Sequence, residues 1–365
     1  MYPLFFAGEI TLVWLSALFN GTGLGSAYHT DQITLAVLFI LSSRLFLKQR
    51  IHRIPTDIFW PFCGMLIIFT LSSLLHGCGW SAVRYFSCFL LIYLVSNAAI
   101  SVKMMHLAGL AVLFWGTVIL AIYDFGTQLS GWNGNSIAMI GIFSYLIFSA
   151  VFWDENMRKR RWLLLLTGAV EFRLISPTGS RSCQVVLLIM VMLVLIRPTV
   201  KLLCSRWWIV VVLLIPLVIA VISALLSDGG LASKMELWSY QTFGKSIFNG
   251  RDTLWKMGFQ QLWERPLFGN GNIDTLRWHN SAVSCLVSFG AVGYVFWLSG
   301  LYALVKRGKQ YLEDSIIRGC LISFLLIYLQ QGVELGMLTK NPNLLIYLPL
   351  GLMLGRINYL KGCCE

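Results

Sequence analysis

Two arginines and a histidine stand where side chains of their kind can clamp an anion and take up a proton. Arg251 opens the run R-D-T-L-W-K-M-G-F-Q-Q-L-W-E-R-P, in which Leu254, Trp255, Met257, Gly258, Gln261 and Leu262 recur at helical spacing. Asp252 falls in the first turn and Pro266 beyond the end, so the pattern predicts a short amphipathic helix over 252–263. Arg251 then sits beside a helix N-terminus, whose free N–H groups already favour anions. Arg181 follows Gly179 and Ser180 in the turn P-T-G-S-R, ahead of another apolar run. A guanidinium holds a phosphate through planar, two-pronged hydrogen bonds. His279 and Asn280 stand at the mouth of an apolar stretch in the pattern H-N-x9-G-x-x-G, which closes on Gly290 and Gly293. An imidazole titrates near neutral pH and suits a general base. Asn280 is placed to cap or orient, and the two glycines to permit close helix packing.

Each residue also has a plainer reading. The short helix can be an interfacial one anchored by its Trp and Arg residues, Arg181 a side chain snorkelling to the headgroups, and His279 a solvated residue at a helix mouth. Arg173, Arg265 and Arg277 are reserve cations and read first as structural. Glu9, inside the first apolar run, is costly unless paired or wet. The carboxylates Asp252, Glu264 and Asp274 are dispersed and form no D-x-D motif, which speaks against a metal-dependent transferase. Nine scattered cysteines without a C-x-x-C pair read as free buried thiols.

The elements that must position these residues are membrane helices. Of 365 residues 57% are hydrophobic and 12% charged, about half the charge of a soluble domain. Apolar runs of spanning length fall at 4–20, 33–47, 59–75, 83–100, 106–123, 136–153, 162–176, 184–196, 207–226, 281–304, 319–335 and 343–356. The expectation is an all-α, polytopic helical bundle of about twelve spans: 1–226 holding nine, 227–280 forming the one large extramembrane loop with short helices, and 281–365 holding three and a tail. The first run lacks a basic flank and a small-residue cleavage site, and reads as a retained helix. Eighteen of the twenty-eight Lys and Arg residues fall on one side of this threading, including Arg158 to Arg161, Lys306, Arg307, Lys309 and Arg356. By the positive-inside bias that side is cytoplasmic, with both termini. The net charge of +12 therefore reports topology, not a nucleic-acid partner. Arg84, Arg173, Arg181 and Lys340 lie in short turns on the other side, against that bias, and this marks them for function.

Three of these segments, in this order and on one side, resemble the bacterial O-antigen ligase and polymerase superfamily: G-S-R at Gly179 to Arg181, G-R-D-T-L-W with R-P-L-F-G-N-G at Gly250 to Trp255 and Arg265 to Gly271, and H-N-x9-G-x-x-G from His279. The likeness covers about residues 176–300; the first half agrees only in being multi-span. It implies a glycosyltransferase of the helical membrane class in the bacterial inner membrane, with a periplasmic site and neither sugar nucleotide nor metal as cofactor. The donor would be an oligosaccharide on undecaprenyl pyrophosphate, held by Arg181 and Arg251. His279 would be the base, supported by Ser180, Asn280, Gly290 and Gly293. A polymerase would pass the glycan to a lipid-linked repeat unit, and a ligase to the lipid A core. The 28 positions from Arg251 to His279 make a compact loop, which favours the polymerase. A chain-length regulator and other assembly proteins are the partners this implies. A lipid-linked-glycan flippase remains as the rival class, but its repeats and mid-membrane charges in two matching halves are missing.

Overall fold

The computed structural model of this chain describes residues 3–22, 30–47, 52–78, 84–125, 133–154, 158–196, 206–226, 230–244, 246, 250–273, 278–339 and 342–362. Among them all regular structure is helical, in fourteen α-helices. These are α1 (Pro3–Thr22), α2 (Thr30–Leu47), α3 (Thr56–Leu75), α4 (Tyr85–Ser96), α5 (Val102–Phe125), α6 (Gly134–Phe152), α7 (Arg158–Ile175), α8 (Arg181–Ile196), α9 (Arg206–Leu226), α10 (Gly230–Phe243), α11 (Arg251–Glu264), α12 (Ser281–Lys309), α13 (Ser315–Gln330) and α14 (Leu348–Gly362). Five of them, α3, α5, α6, α9 and α12, are long and apolar enough to cross a membrane, and α1, α2, α4, α8 and α13 contain shorter apolar helices. The chain is thus built as a membrane protein. The remaining two of the twelve expected runs, 162–176 and 343–356, fall on α7 and on a 3-10 turn at Leu344–Ile346 followed by α14.

Helix α6 is apolar on every face, and every residue from Ile137 to Val151 is buried. A helix of that kind belongs at the centre of a bundle. It is surrounded by α1, α5, α7, α8 and α13. Beside this group α3 runs antiparallel to α12, with Gly64 against Phe296 and Gly300 against Phe62, and Phe69 stacks on Phe289 with ring centroids 3.6 Å apart. Lipid is as apolar as leucine, so helices in a membrane associate through close packing at small residues.

Helix ends gather into two sets. At one, Arg356 donates from Nε and Nη2 to Asp314 Oδ2 at 3.0 and 2.8 Å, while Asp314 Oδ1 caps α13. Arg160 pairs with Asp154 at 3.2 Å, and Arg161 donates to the Leu195 carbonyl at the end of α8. The other set joins the last turn of α3, the first turns of α8, α11 and α12, and the turn after α13. We call these the basic end and the loop end.

At the loop end α12 is interrupted. Gly290 has φ +68 and ψ −173, so the helix before it and the helix after it are separate segments. The turn 265–272 fills the break: Asn270 and Gly271 donate their N–H groups to the carbonyls of Val287 and Ser288, and Pro266 and Leu267 accept from Ala291 and Val292. Ser72 and Ser73 at the end of α3 donate to the carbonyls of Phe268 and Gly271. Backbone freed from a helix at the edge of an apolar bundle must find partners in protein, and here it does.

Candidate functional site

The expected helix over 252–263 forms with one more residue at each end, so Arg251 is its first residue and Gly250, in the left-handed region at φ +75, its cap. Trp255 on its inner face donates from Nε1 to the Trp278 carbonyl at 2.6 Å, and the two indoles pack with Ala220, Val283 and Val287. This contact fixes the residue before His279. The residue after it is fixed more firmly. Asn280 is fully buried; its Oδ1 accepts from the N–H groups of Ala282 and Val283, and its Nδ2 donates to the carbonyls of Pro216 and Gly332 at 2.8 and 2.7 Å. All four of its hydrogen-bonding positions are used, so it caps α12 and ties it to α9 and to the turn after α13 and has none left for orienting the imidazole. Held between these neighbours, His279 adopts φ +50.

Three segments far apart in sequence converge on one carboxylate. Glu334, in the turn after α13, accepts at Oε1 from Arg251 Nη2 at 2.9 Å and from the Ser182 hydroxyl at 3.2 Å, and its Oε2 lies 3.7 Å from His279 Nδ1. The last distance is an ion-pair separation, too long for a hydrogen bond. The side chain of Glu334 is 6% exposed, that of Arg251 18% and that of His279 31%. Nδ1 of the imidazole is buried, so the accessible edge is the one that carries Nε2. Burial pushes the Glu334 carboxyl up, but the facing His279 and Arg251 outweigh it and hold the group below its ordinary 4.5.

Arg181 is the first residue of α8, next to Ser182, and donates from Nη2 to the Ser246 carbonyl at 2.6 Å; the Ser246 hydroxyl in turn donates to Glu236 on α10. It therefore borders the cluster through Ser182. Ser180 is buried and immediately precedes α8, its carbonyl accepting from Gln184 N–H; no hydrogen bond joins its side chain to Glu334 among the described residues. Gly290 does more than permit packing: it is the break in α12, where a Cβ would overlap the Leu267 carbonyl. Gly293 is a contact glycine against Phe69. Among the reserve cations, Arg173 pairs with Asp124 at 3.3 Å in an exposed position, Arg265 is exposed, and Arg277, like Asp274 and Lys340, lies outside the described residues. Glu9 is buried in α1.

Glu334 and Ser182 are the members that sequence reasoning missed. The span assigned to 319–335 swallowed Glu334, whereas α13 stops at Gln330. A signal was present in Q-Q-G-V-E-L-G, a cluster of polar side chains and glycines at the end of an apolar run. A carboxylate there has to be paired.

The arrangement offers a guanidinium with unused N–H groups, a hydroxyl, and an imidazole with one accessible nitrogen around a buried carboxylate. Such a set can bind an oxyanion and accept a proton beside it. No protein-family model matches the chain, and no curated protein matches it either.

Proposed function

We propose that this chain polymerises a surface polysaccharide, transferring a growing glycan from undecaprenyl pyrophosphate to a lipid-linked repeat unit at the periplasmic face of the bacterial inner membrane. The observation that carries the reading is the Glu334 carboxylate held between Arg251 and His279, which joins an anion clamp to a proton acceptor at one end of an apolar helical bundle. In the reaction Nε2 of His279 takes the proton of the acceptor sugar's hydroxyl. The hydroxyl oxygen bonds to the anomeric carbon of the donor glycan, and the bond from that carbon to pyrophosphate breaks. Its electron pair leaves with undecaprenyl pyrophosphate, whose growing charge Arg251 and Arg181 take up. Both prenyl tails stay in the bilayer while the sugars meet at the loop end. In this reading the loop end is periplasmic, the basic end cytoplasmic with both termini, and about twelve helices span.

The test is deletion of the gene in its host with surface polysaccharide read on a gel. Loss of a polymerase leaves lipid A core carrying one repeat unit. Core with none, and long chains stranded on the lipid carrier, would make the chain a ligase instead. An unchanged ladder in a host with no second such enzyme overturns both.

A further inference from the structure

We propose that the Glu334 carboxylate is a built-in stand-in for the donor's pyrophosphate, and that donor binding displaces it from Arg251 onto His279 and so readies the base. The inference rests on the reading above for the identity of the anion, but the anion site itself follows from the side chains.

Glu334 occupies the place a phosphate oxygen would take. Its Oε1 takes both an Arg251 N–H and the Ser182 hydroxyl, two donors of the kind that hold phosphates. With its side chain 6% exposed it has little access to water, so it must keep protein donors. Its second oxygen is only partly engaged: His279 Nδ1 is buried without a hydrogen-bond partner, and at 3.7 Å the carboxylate stands about 0.5–1 Å beyond hydrogen-bond reach. The two partners of Oε1 and the one partner of Oε2 thus pull the carboxylate in different directions. Oε1 holds the shorter contacts. Glu334 lies in a non-helical turn, 331–339, so the side chain and its backbone can shift without moving α13.

A pyrophosphate carries more charge than a carboxylate and offers more acceptor oxygens, so it competes for the Arg251 guanidinium and the Ser182 hydroxyl. Glu334, deprived of both, keeps His279 as its remaining partner in the cluster and closes the gap to Nδ1. The new hydrogen bond fixes the proton on Nδ1 and leaves Nε2 as the acceptor. The base is therefore in position only when the donor is bound. Glu334 is a positioning residue in this scheme, acting through His279 and Arg251.

The measurement is calorimetric binding of inorganic pyrophosphate to the full-length protein in lipid nanodiscs. Glu334→Gln keeps the shape and removes the competing charge, and is expected to bind pyrophosphate about tenfold more tightly than wild type, the worth of one charge-assisted hydrogen bond. Glu334→Asp, with its carboxylate drawn back from Arg251, is expected to tighten binding less, and Arg251→Ala to lose it. Equal or weaker binding by Glu334→Gln, or undiminished binding by Arg251→Ala, overturns the proposal. If the glutamine variant does not fold, the aspartate variant decides alone, and unchanged affinity there overturns it. With the lipid-linked donor, Glu334→Gln should lower KM and kcat together. A structural lesion would raise KM while lowering kcat, and that result also overturns the proposal. Pyrophosphate binding as expected, with no glycan transfer by any preparation, upholds the anion site and removes the transferase reading.

Discussion

His279 holds its side chain on a backbone that glycine alone adopts freely, at φ +50 between the pinned residues Trp278 and Asn280. Left-handed geometry costs a residue with a Cβ ~1–2 kcal/mol, and strain of this kind persists where the surroundings over-determine it. This separates function from stability in one pair of variants. His279→Ala keeps the strain and should lose ~10²- to 10⁴-fold in transfer rate. His279→Gly should be as inactive, yet melt no lower than wild type; a marked fall in Tm would mean the imidazole is structural. Glu334 makes a second prediction, in pH. Its carboxyl is held below 4.5 in the folded protein, so its stabilising contribution is complete above that value and is lost as pH falls through the lower, folded value. Thermal stability should therefore decline as the solution is acidified below the ordinary carboxyl value of 4.5, and Glu334→Gln should lack that part of the decline. An identical acid profile for both proteins would show that the pair contributes nothing. Arg181, Arg251 and His279 were legible because their types are unusual at the ends of apolar runs. Glu334 was not, because its meaning comes from partners 83 residues away at Arg251 and 152 away at Ser182.

At the scale of elements, hydropathy located the helices but not where they stop. The run 319–335 reads as continuous, since Val333 extends it, while α13 ends at Gln330 and the chain turns. Helix α10 was invisible for the opposite reason, being too polar to register as a span and carrying Leu237, Trp238 and Tyr240 exposed. The break in α12 was visible only as a glycine. The sequence pattern marks Gly290 as a packing residue, and nothing in it says that a turn from residues 265–272 will insert there. Gly290→Ala combines left-handed strain with overlap on the Leu267 carbonyl and should cost ~2–4 kcal/mol, read as a lower Tm in detergent. Gly293→Ala carries no left-handed strain and overlaps no backbone; its Cβ would crowd Phe289 Cβ of its own helix at 2.6 Å and the Phe69 ring at 3.2 Å, and it should cost less. Equal effects at both positions would count against the interrupted helix.

At the scale of the whole molecule, Arg160, Arg161, Arg318 and Arg356 gather with the end of α8 and the start of α13 at one pole, and the cluster around Glu334 lies at the other. Cysteines introduced singly into a cysteine-free background should react with a membrane-impermeant reagent in intact spheroplasts at position 245 and not at 158. The reverse pattern would invert the orientation and remove the periplasmic reading. Helices α8 and α13 have 16 residues each and cover about 24 Å, short of the ~30 Å of hydrocarbon. α9 meanwhile runs on from Pro216, whose carbonyl Asn280 holds, to Leu226. On the proposed reading the site is a dent in the outer half of the bundle, with the Arg251 and His279 side chains partly exposed, and the insulating layer is thinner beneath it. A membrane voltage falls across the insulating part, where moving one charge is worth ~2.3 kcal/mol per 100 mV, and hardly at all across water. In the proposed reaction the proton that leaves the acceptor and the charge that leaves with the carrier would then move at a single electrical potential. Transfer of that kind would be driven by the chemistry of the donor bond alone and would be indifferent to whether the cell is energised.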